Sequence, residues 1–388
     1  MNRSISGVTE RNCCGCGACI NSCPKHCISM TENERGFLLP SVDEASCVNC
    51  GLCVDSCPEK ELPTFYNVKK AFAAVSKDIP MLKNSTSGGI FALLSLSILK
   101  QGGTVYGCAW NDDFTAKHIR INSDKDLCLI QQSKYLQSNT CNTFREVKKD
   151  LLNGLKVLYS GTACQIAGLR KYLKKDYDNL ITLEVACHGV PSPGLFKKYI
   201  RWIEKNSDKT VSDFKFRNKD KHKKGEHYKY CVTFTDGSTK YGFSKEDPYY
   251  GSFLDGKTLR YTCYNCKYKR DSRIADIMLS DYWGIEKEHK SFPSQNGASA
   301  VVLCTQSAIE LFDSVRTSMI SKETTFNKIA KHNHSLVQSP YIDDDLKLKT
   351  ININSDELFS LLKPPFDLKL RIKNLIPEKL KYLIKTFI

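Results

Sequence analysis

The sequence lacks any hydrophobic run long enough to form a membrane-spanning helix. The longest apolar stretch, IFALLSLSIL at residues 90–99, falls well short of the roughly 20 residues that such a helix needs. The N-terminal residues MNRSISGVTERN also lack the apolar segment of a secretory signal peptide. We therefore interpret residues 90–99 as a buried helix and expect a cytoplasmic protein.

Common nucleotide-binding and nucleic-acid-binding motifs are also missing from the sequence. Neither G-x-G-x-x-G nor the Walker A pattern occurs, so a dinucleotide cofactor would not bind through the Rossmann fingerprint. No zinc-finger or helix-turn-helix pattern accompanies the net charge of +15. We therefore expect no nucleic-acid partner. The basic charge is compatible with a solvated surface, an anionic membrane surface, or acidic partners and cofactors.

Cysteine, by contrast, is abundant, with 19 in 388 residues. One run consists of Cys13, Cys16, Cys19 and Cys23, followed by Pro24. A second run repeats this spacing with Cys47, Cys50, Cys53 and Cys57, followed by Pro58. Only Cys13 matches the start of the second run, so Cys14 is an additional thiol within a duplicated unit.

This spacing predicts two [4Fe–4S] clusters. Three cysteines of one loop each bind one iron, and the cysteine before the proline of the other run binds the fourth. The predicted ligand sets are Cys13, Cys16, Cys19 and Cys57 for one cluster and Cys47, Cys50, Cys53 and Cys23 for the other. Disulfides would need an oxidising compartment, and zinc sites usually pair two C-x2-C units. Cys14 and Cys27 are interpreted as small buried residues.

After residue 60, the sequence pattern alternates between strands and helices. It predicts a helix within residues 85–103, a strand at residues 104–110, and strand–turn–helix units at residues 155–173 and 180–203. Residues 228–243 predict a β-hairpin with Asp236-Gly237 at the turn. The basic segment 214–230 is interpreted as a mobile, solvated connector.

The first of these helices begins with STSGG at residues 85–89. A helix start offers free N–H groups and a positive dipole end to an anion. In α/β sheets, ligands bind where strands end and helices begin. The segment is therefore a candidate cradle for a phosphate-bearing cofactor.

Further cysteines stand at predicted turns beyond the two runs. They are Cys164, Cys187, Cys263 and Cys266. The last two form a C-x2-C pair, which is typical of redox-active or zinc-binding cysteines. The cysteines without such neighbours are interpreted as packing residues, namely Cys108, Cys128, Cys141, Cys231 and Cys304.

Residues 376–388, IPEKLKYLIKTFI, predict a basic C-terminal helix. One face carries Ile376, Leu380, Leu383, Ile384 and Phe387, and three lysines, at positions 379, 381 and 385, lie elsewhere on the helix. Such a helix can rest on an anionic membrane surface, or it can dock on its own core or on a partner. The sequence therefore leaves open a peripheral position at the inner face of the membrane.

Several short motifs occur in a recognisable order. They are SGG at residues 87–89, SKYLQS at 133–138, GTACQIAGL at 161–169, CHGVPSP at 187–193, CYNCKY at 263–268 and DIMLSDYWG at 276–284. Together they resemble the beta-subunit family of coenzyme F420 hydrogenases and dehydrogenases over about residues 65–330. Ala163 stands where this family usually has proline, and Ser280 stands where glycine is common.

The resemblance implies an iron–sulfur flavoprotein. The implied fold class is α/β (α+β overall), with a small ferredoxin domain for two clusters followed by a mixed-sheet α/β flavin-binding domain. The implied FAD-binding residues are Thr86, Ser87, Gly88, Gly89, Ser133, Lys134, Tyr135, Gly161, Thr162 and Gln165. The implied catalytic residues are Lys134, which would stabilise the anionic reduced flavin, and His188, a candidate proton donor. Cys164, Cys187, Cys263 and Cys266 are the implied ligands of a third [4Fe–4S] cluster.

The expected organisation has four segments. These are a ferredoxin-type domain at residues 1–62, the N-terminal and C-terminal regions of the family at residues 63–148 and 149–330, and a basic helical tail at residues 331–388. Electrons would pass from reduced ferredoxin or a partner subunit through the clusters to FAD, and then to coenzyme F420 or another small acceptor. Two alternatives stay open. One is an electron-transfer subunit of a larger hydrogenase or dehydrogenase complex, and the other is a reductase in surface-polysaccharide biosynthesis.

Overall fold

The computed structural model describes residues 3–219, 229–341 and 354–365. The predicted C-terminal helix at residues 376–388 lies outside these ranges, as do residues 220–228 of the basic connector. Within the described ranges, no helix combines the length and the apolar character needed to cross a bilayer.

The secondary structure alternates between strands and helices after a small N-terminal module. The strands are β1 (Ile28–Glu32), β2 (Leu38–Val42), β3 (Lys70–Ser76), β4 (Thr104–Trp110), β5 (Ala116–Ile121), β6 (Ser138–Asn139), β7 (Val157–Thr162), β8 (Leu180–Val185), β9 (Val211–Asn218), β10 (Lys229–Phe234), β11 (Thr239–Phe243), β12 (Ile277–Asp281), β13 (Ser299–Leu303) and β14 (Met319–Thr324). The helices are α1 (Ala18–Ser22), α2 (Leu52–Asp55), α3 (Ile79–Lys83), α4 (Ile90–Lys100), α5 (Leu127–Ile130), α6 (Thr143–Leu152), α7 (Ala163–Leu173), α8 (Pro193–Ser207), α9 (Pro248–Leu254), α10 (Ile285–Glu288), α11 (Gln306–Ser314), α12 (Phe326–His332) and α13 (Ser355–Leu362).

The N-terminal module repeats one loop-and-helix unit around a small hairpin. Strands β1 and β2 pair antiparallel. Each cysteine loop turns into a short helix through a glycine in the left-handed region, Gly17 at φ 77° before α1 and Gly51 at φ 79° before α2. A side chain at Gly17 would meet the Thr140 hydroxyl at 2.0 Å. The module therefore packs closely against the following domain at this glycine.

The main body is a mixed sheet of nine strands within the described residues. The strand order is β14-β3-β13-β12-β8-β7-β4-β5-β6. Strands β4, β7, β8 and β12 run parallel, whereas β3, β13 and β14 add antiparallel pairs at one side. The mixed α/β fold class is confirmed. Strand β3, from residues 63–148, lies between β13 and β14, so the two predicted regions share one sheet.

The local predictions for the sheet are confirmed. Helix α4 follows Gly89 at φ 81° and buries Ile90, Leu94 and Ile98 against the sheet. The units β7–α7 and β8–α8 occupy the two predicted strand–turn–helix segments. Their turns lie at the carboxyl ends of neighbouring parallel strands, so the residues of these two turns are brought together.

A smaller sheet, β11-β10-β9, packs beside the main one. Its hairpin turns at Asp236 and Gly237 as predicted, with Gly237 at φ 79°. Its core is aromatic and includes Phe196, Phe214 and Tyr249. The interpretation of residues 214–230 as a solvated connector is wrong at both ends of that segment. Strand β9 continues to Asn218 with Phe216 buried, and β10 begins at Lys229 with Tyr230 buried.

Candidate redox site

The first predicted ligand set comes together at the interface between the module and the sheet. Burial is the largest cause of the raised pKa values of Cys13 and Cys19, and the Cys57 thiol raises both further. A hydrogen bond with Cys14 lowers the pKa of Cys16 and burial raises it, and the thiols of Cys19 and Cys57 raise it further. The structure thus places three thiols of the first run beside the last thiol of the second run.

The second predicted ligand set lines a small cavity at the surface of the module. Cys23, Cys47, Cys50 and Cys53 line it, and so does Cys27. The Cys27 thiol lies 3.3 Å from the Cys23 thiol. Cys27 is buried, as predicted, but it lies in the wall of this cavity. Cys50 is exposed, so this set faces the outside of the protein.

The third set of cysteines lines a cavity of about 60 Å³ below the parallel strands. Cys164 lies in the first turn of α7, Cys187 in the loop after β8, and Cys263 and Cys266 in a turn after α9. Burial is the largest cause of the raised pKa of Cys187, to about 12, and the neighbouring thiols of Cys164 and Cys266 raise it further. Burial also raises the pKa of Cys263, and the thiols of Cys187, Cys164 and Cys266 raise it further. The four thiols therefore form one group.

Cys14, the additional thiol of the first run, lies in the wall of the third cavity. Its side-chain hydrogen bond with Cys16 and its burial raise the pKa of the Cys14 thiol, and its hydrogen bond with Cys164 lowers it. Cys14 therefore touches one member of the first set and one member of the third set. The sequence predicted a small buried residue, but Cys14 is half-buried and lies between two cysteine groups.

Charged and polar groups complete the third cavity. The Lys269 ammonium donates hydrogen bonds to the carbonyl oxygens of Cys187 and Ser335. His188 lines the same cavity, and its Nε2 has no hydrogen-bond partner among the residues that the structure describes. Burial and then Lys269 lower the pKa of His188 to about 4, so its imidazole is neutral near pH 7.

The chemistry of the third group fits an iron–sulfur cluster. Iron coordination deprotonates cysteine outright, which overcomes the cost of burying the thiolates. Lys269 would supply a positive charge beside a cluster held there. In the described part of the chain, no three His, Cys, Asp or Glu side chains converge closely enough to hold a single metal ion.

The predicted flavin residues before helix α4 form a folded loop. The Thr86 hydroxyl accepts a hydrogen bond from the Ser133 N–H at 3.0 Å. The Gly88 N–H donates to the Ser299 hydroxyl at 2.9 Å, and a side chain at Gly88 would meet the Ala74 carbonyl oxygen at 2.4 Å. Glycine is therefore required where this loop crosses the ends of β3 and β13.

The remaining predicted flavin residues lie on the side of the third cavity. Thr162 caps helix α7 together with Gln165, and both line this cavity. The Gln165 amide donates to the Ser138 hydroxyl at 2.9 Å. Gly161 packs against Gln165 at the same turn. Residues 133–138 therefore connect the two groups, because Ser133 contacts Thr86 and Ser138 contacts Gln165.

Lys134 and Tyr135 lie within this connecting segment. The Lys134 ammonium donates to the Gln131 carbonyl oxygen at 2.9 Å, and burial lowers its pKa. The Tyr135 ring stacks on Phe253 with centroids 5.0 Å apart. Tyr135 is thus held by the aromatic core, and Lys134 is a half-buried side chain beside it.

Sequence reasoning missed two basic residues near the helix start. The Lys219 ammonium donates to the Ser87 carbonyl oxygen at 2.7 Å and to the Leu82 carbonyl oxygen at 2.9 Å. Burial lowers the pKa of Lys219 to about 7. Arg217 pairs with Asp281 at 2.6 Å. The alternating pattern FKFRN could have indicated a strand, but its many charges favoured a loop, and alternation alone would have placed Arg217 on the face opposite Phe214 and Phe216.

The isolated cysteines differ in their surroundings. Cys231 and Cys304 are buried, and Cys108 and Cys141 are half-buried. The interpretation of Cys128 as a packing residue is wrong, because it is exposed. Its position on the short helix α5 places its side chain toward solvent.

Two family models match the chain, and together they cover both cysteine-rich parts. The model for the C terminus of the coenzyme F420 hydrogenase/dehydrogenase beta subunit matches residues 154–328, and a 4Fe-4S dicluster domain matches residues 12–60. No curated protein matches the chain. A chain of the F420-reducing [NiFe] hydrogenase complex from Methanosarcina barkeri is 17% identical, with a TM-score of 0.48, covering 71% of this chain and 90% of that one. Residues 154–328 of this chain are therefore similar to the C terminus of the coenzyme F420 hydrogenase/dehydrogenase beta subunit, and residues 12–60 form an iron–sulfur dicluster domain.

Proposed function

We propose that this protein is an iron–sulfur flavoprotein oxidoreductase with three [4Fe–4S] clusters and one FAD. Single electrons enter from reduced ferredoxin or a redox partner subunit at the N-terminal module. They leave in pairs to a small acceptor, either coenzyme F420 or another oxidised compound. When bound, FAD supplies the exchange between one-electron and two-electron transfer.

One observation carries the proposal: the three cysteine sets form an unbroken series. The exposed Cys50 belongs to the second set. Cys53 of that set lies near enough to Cys19 of the first set to raise its pKa, after the larger effect of burial. Cys14 then connects the first set to Cys164 of the third. The series runs from the surface to the cavity beside the β7–α7 turn.

The predicted flavin residues supply what an anionic cofactor needs. Lys134 follows Ser133 of the Thr86–Ser133 contact, and the Lys219 side chain donates to the Ser87 carbonyl oxygen beside Thr86. The helix start at Gly89 adds free N–H groups. Lys134 is placed to stabilise negative charge on a reduced ring. His188 is neutral there, so its role is to hold or pass a proton at Nε2.

Metal and flavin content test the proposal directly. We would purify the protein without oxygen and measure iron, acid-labile sulfide and flavin per chain, in the wild type and in Cys187→Ser. We expect about twelve irons and one FAD for the wild type, since each cube holds four irons. The variant should lose about four irons. Cys231→Ser is the matched control, because Cys231 is buried outside all three sets, and it should keep them all.

The outcomes separate the parts of the proposal. About eight irons in both proteins would remove the third cluster, and a colourless apoprotein lacking flavin would remove the flavoenzyme. With a loaded protein, reduction of coenzyme F420 and of nucleotide-sugars would be compared. Co-purification of a large partner together with no turnover of small acceptors would favour the electron-transfer subunit.

A further inference from the structure

Arg260 is a buried arginine at the boundary between two cysteine sets. Its relative exposure is 0%, and it is among the largest fully buried side chains in the described ranges. Its backbone N–H donates to the Val190 carbonyl oxygen at 3.0 Å, in the loop that carries Cys187. Its side chain reaches away from that loop to the first set, where Nη1 donates to the Cys13 carbonyl oxygen at 2.6 Å.

The guanidinium has only neutral partners. Nη2 donates to the Leu38 carbonyl oxygen at 2.5 Å and to the Gln137 Oε1 at 3.0 Å, and the Phe37 ring lies 5.0 Å from Cζ. Within the described part of the chain, Nε has no hydrogen-bond partner. Among residues 3–219, 229–341 and 354–365, no carboxylate forms an ion pair with Arg260.

The carboxylates nearest to this region are already paired. Glu10 accepts from Arg35 at 2.6 Å, and Glu59 pairs with Lys267 at 2.8 Å. A second buried arginine, Arg273, follows the usual rule, because it pairs with Glu184 at 3.3 Å. An arginine buried without a counter-charge is costly, so proteins keep one only where a negative group offsets it.

We propose that the counter-charge of Arg260 is the iron–sulfur cluster held by Cys13, Cys16, Cys19 and Cys57, and that Arg260 raises the reduction potential of this cluster. A cube with four thiolates is anionic, and it becomes more negative by one charge when it accepts one electron. A fixed cation beside Cys13 stabilises the reduced form more than the oxidised form. The electron comes from the external donor, and no proton is needed. This inference rests on the proposed ligand set.

Two variants change the charge in different ways. Arg260→Gln removes the cation. Gln137→Glu keeps the arginine and places a carboxylate where Oε1 now accepts from Nη2, with almost the same shape. Its weak second contact, from Nε2 to the Gly15 carbonyl oxygen at 3.5 Å, is lost. Arg260→Lys keeps the charge, and Arg273→Gln is the control for loss of a buried arginine that already has a partner.

Reduction potentials are read from an EPR-monitored redox titration of the cluster-loaded protein. We expect Arg260→Gln and Gln137→Glu to lower the reduction potential of one cluster by about 59 mV or more. For a one-electron couple, this shift is a tenfold change in the redox equilibrium constant. Arg260→Lys should recover most of the loss, and Arg273→Gln should leave this cluster unchanged. Should Arg260→Gln fail to fold, Gln137→Glu alone decides the matter.

Two failures are distinguishable. Fewer than about eight irons per chain in the wild type would mean that the ligand sets, and with them the proposed function, are wrong. Full loading with unchanged potentials in both charge variants would overturn the role of Arg260 and leave the proposed function standing.

Discussion

Arg145 fixes the N-terminal module to the main sheet, and its removal should loosen the module. From helix α6, its Nε donates to the Asn21 carbonyl oxygen at 2.8 Å, and its Nη2 donates to the carbonyl oxygens of Ile20 at 2.9 Å and Cys23 at 2.6 Å. Nη1 lies 2.6 Å from His26 Nδ1. These contacts hold α1 and the last cysteine of the first run.

The expected effect follows from the number of bonds. A hydrogen bond contributes about 1 kcal/mol net, so the three bonds to carbonyl oxygens contribute about 3 kcal/mol. Arg145→Ala should therefore increase the equilibrium constant for local opening of the module about a hundredfold, since about 1.4 kcal/mol is a factor of ten. Because Arg145 is only half-buried, water can replace part of the hydrogen bonding that is lost in Arg145→Ala.

Hydrogen–deuterium exchange measures this opening in the loaded protein. Amides of residues 18–26 should exchange faster in Arg145→Ala, while those of strand β7 should not change. Arg120→Ala is the matched control, because Arg120 pairs with Asp150 at 2.7 Å and has no contact with the module. Equal exchange of residues 18–26 in the wild type and Arg145→Ala would refute the reasoning.

Three further predictions concern single side chains. Lys219→Gln should lower flavin content without changing iron content. In the wild type, flavin affinity should fall as the pH rises through about 7, because Lys219 then loses its proton. Titrating flavin binding by fluorescence checks this, and a flat wild-type profile would contradict it. Cys14→Ala should keep its iron but lower the reduction potentials of two clusters in an EPR titration, because hydrogen bonds to cluster sulfurs tune the potential. The control variant Cys27→Ala should shift the potential of only one cluster. Unchanged potentials in Cys14→Ala would contradict the prediction. Burial raises the pKa of Asp247 to about 6 from 3.8, so its folded state binds the extra proton and stability falls by about 1 kcal/mol from pH 5 to pH 7. Urea unfolding of Asp247→Asn should lack this fall, and an equal slope in both proteins would exclude it.

The elements that the sequence predicted are those fixed by local patterns. The strand–turn–helix units around Cys164 and Cys187 depend on a buried strand followed by a helix start, and the hairpin depends on Asp236-Gly237. The dicluster domain was predictable because its cysteine spacing reflects the size of the cluster itself. Each of these signals lies within a few neighbouring residues.

The features that the sequence could not predict depend on contacts between distant segments. Arg260 lies next to Cys13 only because the module packs on the sheet, and nothing near Arg260 in the sequence indicates a missing partner. Lys219 lies in a basic stretch of the sequence, and nothing in that stretch predicts its contact with the Ser87 carbonyl oxygen. Strand β3 lies between β13 and β14, an order that no local pattern specifies.

Under the proposed function, burial indicates where a protein donor can approach the series. The second cysteine set lies at the surface, where Cys50 is exposed and the neighbouring Val48 is 57% exposed, so a protein donor can approach it. The thiols of the third set are half-buried and line a partly open cavity, so they are less accessible to a protein than Cys50 is. We therefore expect the donor to approach the second set, and Cys14 and Arg260 lie between that entry point and the third set.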